Sequence, residues 1–443
     1  MKVRTIHLGR KRPGPGAREH RVRAAHSWLV RCLSVLGPGI IAGASDDDPS
    51  GVATYAVAGA SLGLGTLWTA LFTIPMTAAV QFISAKIGLV SGHGLAGALR
   101  RRYPAWAVWS AVLGLAVANT INAGADIGAV AAAFNLMVPV PIAVMIVPVA
   151  AGILAVVVWG TYPALAGALK WMSLLLLAYV GSAFVAQPNW SDVLVATVVP
   201  RVRLDGQFLA VLVAVLGTTI SPYMWFWQAS QEVEERLAIG ERRLWQRRGV
   251  SRTELGYAAW DVDVGMVFSN VVMYFIILAT AATLHRTGHT NITSAAQAAA
   301  ALRPLAGPLA TWLFAIGLAS AGLIAIPVLT GSAAYAIADL FGWRAGLGER
   351  PRRARWFYAA IAASTGIGMV LNFTGINPIN ALFVTAVING FLTPPMLVLV
   401  MLASNNREIM GSRVNGPLLN GIGWVTTAVM TAAVVGLILT WRS

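Results

Sequence analysis

The hexapeptide DDDPSG, Asp46–Gly51, places three carboxylates in the middle of an apolar stretch that runs from Leu29 to Leu62. An ionised carboxylate in a bilayer costs at least about 2.5–3.5 kcal/mol, so such residues are rare and usually functional. The stretch is thirty-four residues long, whereas a membrane helix needs about 20. Pro49 removes a backbone donor, and a serine and a glycine follow as weak helix formers. These features predict two half-helices that meet at a break in mid-membrane, with carboxylates and freed backbone carbonyls at the junction.

The composition indicates a polytopic membrane protein with one membrane domain. Of the 443 residues, 57% are hydrophobic and only 11% are charged, and the mean hydropathy is +0.70. The net charge of +15 comes from short basic clusters between apolar segments, which is typical of membrane topology signals and argues against a nucleic-acid partner. The single cysteine, Cys32, excludes a disulfide framework and a thiolate metal cluster. The predicted partners are the lipid bilayer and a small substrate, with no obligate protein partner.

Apolar runs predict an all-α membrane protein with eleven transmembrane helices. A basic arm, residues 1–27, precedes a single transporter domain over residues 28–443. The predicted spans are roughly 30–62, 65–90, 106–134, 141–160, 168–187, 206–231, 262–284, 306–340, 356–373, 378–402 and 418–440.

Basic residues alternate between the loops that join these spans. The arm and the loops after the even-numbered spans are rich in arginine or lysine, while the other loops carry little positive charge. Because positive loops stay on the cytoplasmic side, the pattern predicts a multi-pass protein of the plasma or inner membrane. Its N-terminus would be cytoplasmic and its C-terminus outside.

A second proline break falls inside the sixth span. The stretch GTTISPY, Gly217–Tyr223, places small and hydroxylated residues before Pro222, which lies 173 residues after Pro49. Breaks at corresponding positions of two five-span halves predict an inverted 5+5 repeat, with repeats over about 28–187 and 206–402. The helix at about 418–440 would be an addition. The alternative is an ordinary proline kink, which membrane helices tolerate.

The side chains and carbonyls near the two breaks offer only oxygen ligands. Asp48, which directly precedes the break, is the first candidate for a cation ligand. Hard cations prefer carboxylate, carbonyl and water oxygen, so the inventory favours Mg²⁺ or Mn²⁺. The ion would be cargo and not a cofactor. The predicted site positions are Asp48, Ser45, Gly51, Thr218, Ser221 and Tyr223, with a possible ion or proton pathway through Asp47, Asp126, Gln228 and Asn389. For Asp126, a structural hydrogen bond to a neighbouring helix is an equally open interpretation.

The order and spacing of several short motifs resemble the Nramp family of divalent-metal transporters. Gly37–Gly39 (GPG) followed by Asp48–Gly51 (DPSG) is similar to the family's first helix, and Gly217–Tyr223 to its sixth. Further similarity lies at Ser91–Ala96 and Arg407–Gly411. The resemblance covers nearly the whole membrane domain and implies a divalent-metal transporter with interrupted first and sixth helices.

Three positions depart from the family pattern. The family's aspartate is kept as Asp48, but its asparagine is replaced by Gly51, its methionine by Ser221 and its histidine by Tyr223. In the family the methionine sulfur favours transition metals, and the histidine is linked to proton coupling. With both replaced, the chain resembles the divergent Nramp-related branch that includes magnesium transporters.

These observations together predict a transporter, not an enzyme, that moves a divalent metal ion into the cytoplasm by alternating access. Mg²⁺ or Mn²⁺ is the favoured ion. A proton-coupled Mn²⁺/Fe²⁺ symporter of the ordinary Nramp type is one alternative. A cation-coupled carrier of small organic solutes is another, although three aspartates at the break oppose a carboxylate substrate. An intramembrane aspartyl hydrolase would need two carboxylates converging on one water, and it leaves the paired breaks unexplained.

Overall fold

The computed structural model describes residues 37–159 and 174–440, and that part of the chain is helical and contains no β-strand. The basic arm, residues 1–27, lies outside the described residues. The α-helices, numbered in chain order, are α1 (Pro38–Asp46), α2 (Pro49–Leu62), α3 (Trp68–Ser91), α4 (Leu95–Arg100), α5 (Ala105–Met137), α6 (Ile142–Trp159), α7 (Ala178–Val185), α8 (Trp190–Val198), α9 (Gly206–Thr219), α10 (Pro222–Ala238), α11 (Leu244–Arg247), α12 (Arg252–Thr283), α13 (Ala295–Ala299), α14 (Arg303–Ala306), α15 (Ala310–Phe341), α16 (Arg355–Leu371), α17 (Pro378–Asn405), α18 (Arg407–Met410) and α19 (Pro417–Thr440).

The predicted spans can be followed along this series. Nine helical segments of the described residues are long and apolar enough to cross a membrane, and they match predicted spans two to four and six to eleven. The first span is the pair α1 and α2, each too short to cross alone. The fifth span is represented by a 3₁₀ turn, Leu174–Leu177, that leads into α7; its predicted start at 168–173 lies outside the described residues. The all-helical fold and both interrupted spans are therefore confirmed.

The polar connection predicted between the sixth and seventh spans is much shorter than expected. The sixth span continues to Ala238 and the seventh begins at Arg252, so only residues 239–251 remain, with the four-residue α11 among them. Hydropathy alone ends these helices too early, because their polar ends are held by side-chain bonds. Arg236 pairs with Glu241 at 3.1 Å, for example.

Glycines bring the interrupted helices very close to their neighbours. A Cβ added at Gly43 of α1 would lie 2.2 Å from the carbonyl oxygen of Gly265 on α12, and one at Gly217 of α9 would lie 2.3 Å from the backbone nitrogen of Gly390 on α17. Such contacts are impossible for any larger residue, and small residues are the usual means by which membrane helices approach closely. These contacts fix the half-helices that end at the breaks.

Asp261 of α12 caps a helix other than its own. Its carboxylate accepts backbone N–H groups from Gly37 at 2.7 Å, Gly39 at 2.8 Å and Ile40 at 3.2 Å, at the start of α1. Gly37 has no side chain with which to cap α1, so a carboxylate from a neighbouring helix satisfies the free donors. Asp263, two residues further along α12, is exposed.

Candidate metal centre at the two helix breaks

Each interruption begins its second half-helix with a proline. Pro49 is the first residue of α2, and Pro222 is the first residue of α10. In a helix, the N–H of a residue bonds to the carbonyl four residues earlier. Because proline has no N–H, the carbonyls of Ser45 and Thr218 lose their ordinary helical donor. Both breaks thus leave a carbonyl oxygen available at the predicted positions.

Asp48 lies at the N-terminus of α2 and is completely buried. Its Oδ1 accepts the N–H of Gly51 at 2.6 Å and the hydroxyl of Ser50 at 2.7 Å, and its Oδ2 accepts the amide of Asn122 at 3.2 Å. These bonds hold the carboxylate in one orientation, and the N-terminal end of α2 favours its negative charge. A carboxylate has about four acceptor sites, so three donors leave room for a cation.

Gly51 contributes to this geometry through its backbone. A Cβ at this position would lie 2.9 Å from the carbonyl oxygen of Asp46, which leaves no room for a side chain without displacement. Gly51 offers no side-chain ligand, and its N–H donates to the carboxylate of Asp48. Its place in the site is therefore to orient Asp48.

The second break brings hydroxyl groups to the first. Tyr223 donates its hydroxyl to the freed carbonyl of Ser45 at 2.8 Å. The hydroxyl of Thr218 lies 3.4 Å from that of Ser50. Ser221 is buried, and its hydroxyl has no hydrogen-bond partner in the part of the chain that the structure describes. The two breaks, far apart in sequence, are thus in direct contact.

The other two carboxylates of the hexapeptide meet α12. Ser269 of that helix hydrogen-bonds to Asp46, and its hydroxyl lies 3.3 Å from Oδ1 of Asp47. A hydroxyl has one proton, so Ser269 donates to only one of them at a time. The remaining oxygens, Oδ1 of Asp46 and Oδ2 of Asp47, have no hydrogen-bond partner among residues 37–159 and 174–440. Asp48 alone of the three bonds to Asn122 of α5.

Asp126 of α5 is buried within electrostatic range of Asp48. Neither of its carboxylate oxygens has a hydrogen-bond partner among the described residues. The backbone N–H of Ser50 on α2 is nevertheless close enough to interact with this carboxylate, so a structural contact between helices and a place on an ion or proton pathway both stay predictions for Asp126.

The two amides predicted for a pathway lie in different surroundings. Gln228 of α10 donates to Glu232 at 2.9 Å and accepts from Gln81 of α3 at 3.2 Å, so it belongs to a buried polar chain between two helices. Asn389 of α17 is buried beside Gly390, and its amide nitrogen has no partner within the described part of the chain.

The charge balance around the breaks is unusual for a buried region. Four aspartates are fully or almost fully buried there, and none makes a salt bridge within the described ranges. Buried charges are normally paired, neutralised or bound to a metal. Also within those ranges, no three His, Cys, Asp or Glu side chains form a ready metal cluster. An ion bound at Asp48 would therefore draw its remaining ligands from carbonyls, hydroxyls, amides and water.

Sequence reasoning missed Ser269 and Asn122, which contact these carboxylates, and Thr385, which contacts Asn122. Asn122 lies four residues before Asp126, and Ser269 directly precedes an asparagine; both are polar residues inside apolar spans. Polar residues inside spans were the available signal, but their partners lie on distant helices and could not be read from spacing.

Two interrupted helices that meet inside an apolar helical bundle define a membrane transporter built on discontinuous helices. A sequence model of the family described as natural resistance-associated macrophage protein-like, or Nramp, matches residues 39–440. The chain belongs to the Nramp family. It is an integral multi-pass membrane transporter and not an enzyme.

Individual relatives agree with this assignment. The divalent metal cation transporter MntH of Klebsiella pneumoniae is 27% identical over 411 residues, which are 90% of this chain and 92% of that protein. The crystal structure of a manganese transporter of Eremococcus coleocola has a TM-score of 0.69 at 18% identity, covering 93% of this chain and 87% of that one. Mhp1, a nucleobase-cation-symport-1 family transporter, has a TM-score of 0.56 at 15% identity and covers 92% of both chains. These structural likenesses confirm the predicted inverted-repeat transporter fold.

Proposed function

We propose that this Nramp-family protein carries divalent metal ions, with Mg²⁺ or Mn²⁺ as substrate, through a site at the breaks of its first and sixth spans. The observation that carries the proposal is Asp48: a buried carboxylate, held at a helix N-terminus, without a salt bridge within the described residues, at the point where the two helix breaks are in contact. The metal ion is the transported substrate and not a cofactor.

The ligand set favours hard cations. Asp48 would coordinate the ion, with the carbonyls of Ser45 and Thr218 and the hydroxyl of Ser221 as further oxygen ligands. Tyr223, which holds the Ser45 carbonyl at 2.8 Å, would release it to the ion or bond one of its waters. Such oxygens suit Mg²⁺, Mn²⁺ and Ca²⁺ rather than softer metals.

The choice between Mg²⁺ and Mn²⁺ depends on how many waters the ion keeps. Mg²⁺ dehydrates reluctantly and is usually held by one or two carboxylates plus water, which fits a site with one carboxylate. The relatives named for divalent metals and for manganese favour Mn²⁺. Uptake of each of the two ions is therefore measured in the test below.

The direction of transport and the orientation of the protein in the membrane are also part of the proposal. The alternation of basic loops supports a cytoplasmic N-terminus and an external C-terminus, and hence uptake into the cytoplasm. Asp126, Asp47, Gln228 and Asn389 would line the route of the ion or of a coupled proton. A protease-sensitive tag at the C-terminus, cleaved in intact cells, would test the orientation.

Flux of Mn²⁺ and Mg²⁺ into proteoliposomes tests the proposed site. Asp48→Ala should abolish uptake of both ions. The matched control is Asp205→Ala, because Asp205 also caps a half-helix, accepting the N–H of Phe208 at 2.8 Å, but lies away from the breaks. Uptake that persists in Asp48→Ala would remove this residue from the mechanism. Equal loss in both variants would mean that helix capping, and not ion binding, is what the aspartate provides.

A further inference from the structure

A chain of polar side chains connects Asp48 with two other spans. Asn122 of α5 is completely buried, and its Nδ2 donates to Oδ2 of Asp48 at 3.2 Å. On its other side, Oδ1 of Asn122 lies 2.9 Å from the hydroxyl of Thr385 on α17. That hydroxyl also lies 2.7 Å from the carbonyl of Leu382, one turn earlier in the same helix. An amide between a carboxylate and a hydroxyl has two possible orientations.

The hydroxyl of Thr385 cannot donate to both of the acceptor oxygens beside it at once. It has one proton and two lone pairs, whereas both Oδ1 of Asn122 and the carbonyl of Leu382 are acceptors. The Asn122 amide can rotate by about 180°, since its oxygen and nitrogen occupy nearly equivalent places. This rotation ends the competition for the Thr385 proton. The amide nitrogen then donates to Thr385, and Thr385 donates to Leu382.

The rotated amide would place two acceptors face to face. The carbonyl oxygen of Asn122 would stand about where the nitrogen stands now, 3.2 Å from Oδ2 of Asp48. Two oxygens at that distance repel unless a proton or a cation lies between them. Neighbouring oxygens in an octahedron are about 2.9 Å apart around Mg²⁺ and about 3.3–3.7 Å apart around Ca²⁺, from metal–oxygen distances of about 2.0–2.1 and 2.3–2.6 Å. The observed spacing lies between these values and suits a divalent cation.

We propose that Asn122 is a switchable ligand of the transported cation. In the empty site its amide nitrogen donates to Asp48. When a hard divalent cation binds, the amide rotates and its oxygen joins Asp48 as a neighbouring ligand. The hydroxyl of Thr385 then accepts from Asn122 and donates its proton to the carbonyl of Leu382. This inference rests on the proposed function. It supplies, from α5, the side-chain oxygen that Gly51 cannot provide.

Binding of Mn²⁺ to the purified full chain in detergent, measured by titration calorimetry, tests the ligand role. Asn122→Leu removes the amide with little change in volume and should weaken binding roughly 10- to 100-fold. Asn122→Asp keeps an oxygen at the site and should bind as tightly as the wild type or more tightly. The matched control is Asn119→Leu, three residues earlier on α5, whose amide donates to Leu329 and not to the breaks; it should leave the affinity unchanged.

The switch itself is tested at Thr385. Thr385→Val keeps the shape but removes the acceptor that the rotated amide needs, so Mn²⁺ affinity should fall roughly tenfold or more. Thr385→Ser should restore it. Infrared difference spectra with and without Mg²⁺, on protein with ¹³C-labelled asparagine, should show a carbonyl shift that is lost in Asn122→Asp. Melting temperature and elution profile identify any variant that fails to fold. If a variant does not fold, the infrared measurement on the wild type decides the question.

The outcomes separate this inference from the proposed function. If Asn122→Leu binds Mn²⁺ like the wild type while Asp48→Ala does not bind, the ligand role of Asn122 is overturned and the proposed site stands. An absent amide shift in a wild type that binds Mg²⁺ overturns it as well. If Asp48→Ala binds both ions like the wild type, the proposed function fails, whatever the result at Asn122.

Discussion

The carboxylate of Asp261 should decide whether α1 stays docked against α12. It accepts three backbone N–H groups at the start of α1, from Gly37, Gly39 and Ile40. Asp261→Asn removes the charge and replaces one acceptor oxygen by a donor that faces these N–H groups. Hydrogen bonds to a charged group contribute about 1.5–3 kcal/mol each, and the helix N-terminus adds to the attraction. Because part of this bonding survives in the amide, we expect a net loss of about 2–3 kcal/mol.

Such a loss multiplies the open population of α1 by about 30 to 160, since 1.36 kcal/mol corresponds to a factor of ten. Hydrogen exchange measured by mass spectrometry should therefore be faster by that factor in residues 39–46 of the variant, while α10 keeps its protection. The matched control is Asp263→Asn, which changes an exposed aspartate on the same helix and should leave the exchange as it was. Unchanged exchange in residues 39–46 of Asp261→Asn would refute the idea that a carboxylate from α12 holds α1.

Two further predictions concern Tyr223 and His93. Tyr223→Phe removes the hydroxyl that donates to the carbonyl of Ser45 at 2.8 Å, so the ion-free protein should lose about 1–3 kcal/mol of stability. Because the freed carbonyl remains available to a cation, Mn²⁺ should raise the melting temperature of this variant more than that of the wild type; an equal rise would contradict the reasoning. Burial and then neighbouring arginines lower the pKa of His93, in the loop after α3, to about 4. The unfolded chain, in which a histidine has a pKa of about 6.5, therefore binds the extra proton first, and the contribution of His93 to stability is present above about pH 6.5 and is lost as the pH falls towards 4. This part of the pH dependence should be absent in His93→Gln, and an NMR titration of His93 with a midpoint near 6.5 would disprove it.

Much of the fold could be predicted because its signals are local. A span is recognised from the apolar residues that compose it, and a break from a proline and its immediate neighbours. The ends of α10 and α12 could not be placed in this way. They extend past the apolar region because polar side chains there bond to residues far away in the sequence, as Glu234 of α10 does by accepting from Tyr335 of α15 and from the N–H of Leu347. Hydropathy measures the cost of polar groups in lipid and not the bonds that compensate it.

The candidate site also has features that depend on local sequence and features that depend on the packing of distant helices. The sequence alone determined that the carbonyls of Ser45 and Thr218 lack their ordinary helical donor, because the missing N–H of a proline falls four residues after its acceptor in a helix. It also determined that Asp48 stands at the start of a half-helix, as the residue before Pro49.

Only the tertiary structure decided what these groups face. The freed carbonyl of Ser45 meets Tyr223, which is 178 residues away, and Asp48 meets Asn122, which is 74 residues away. These pairings depend on the close approach of α1 to α12 and of α9 to α17, which requires glycine on both partners of each contact. Backbone hydrogen bonds are set by the order of the residues, whereas side-chain contacts between helices are set by how those helices pack. The residues that complete the site could therefore be identified only when the packing was known.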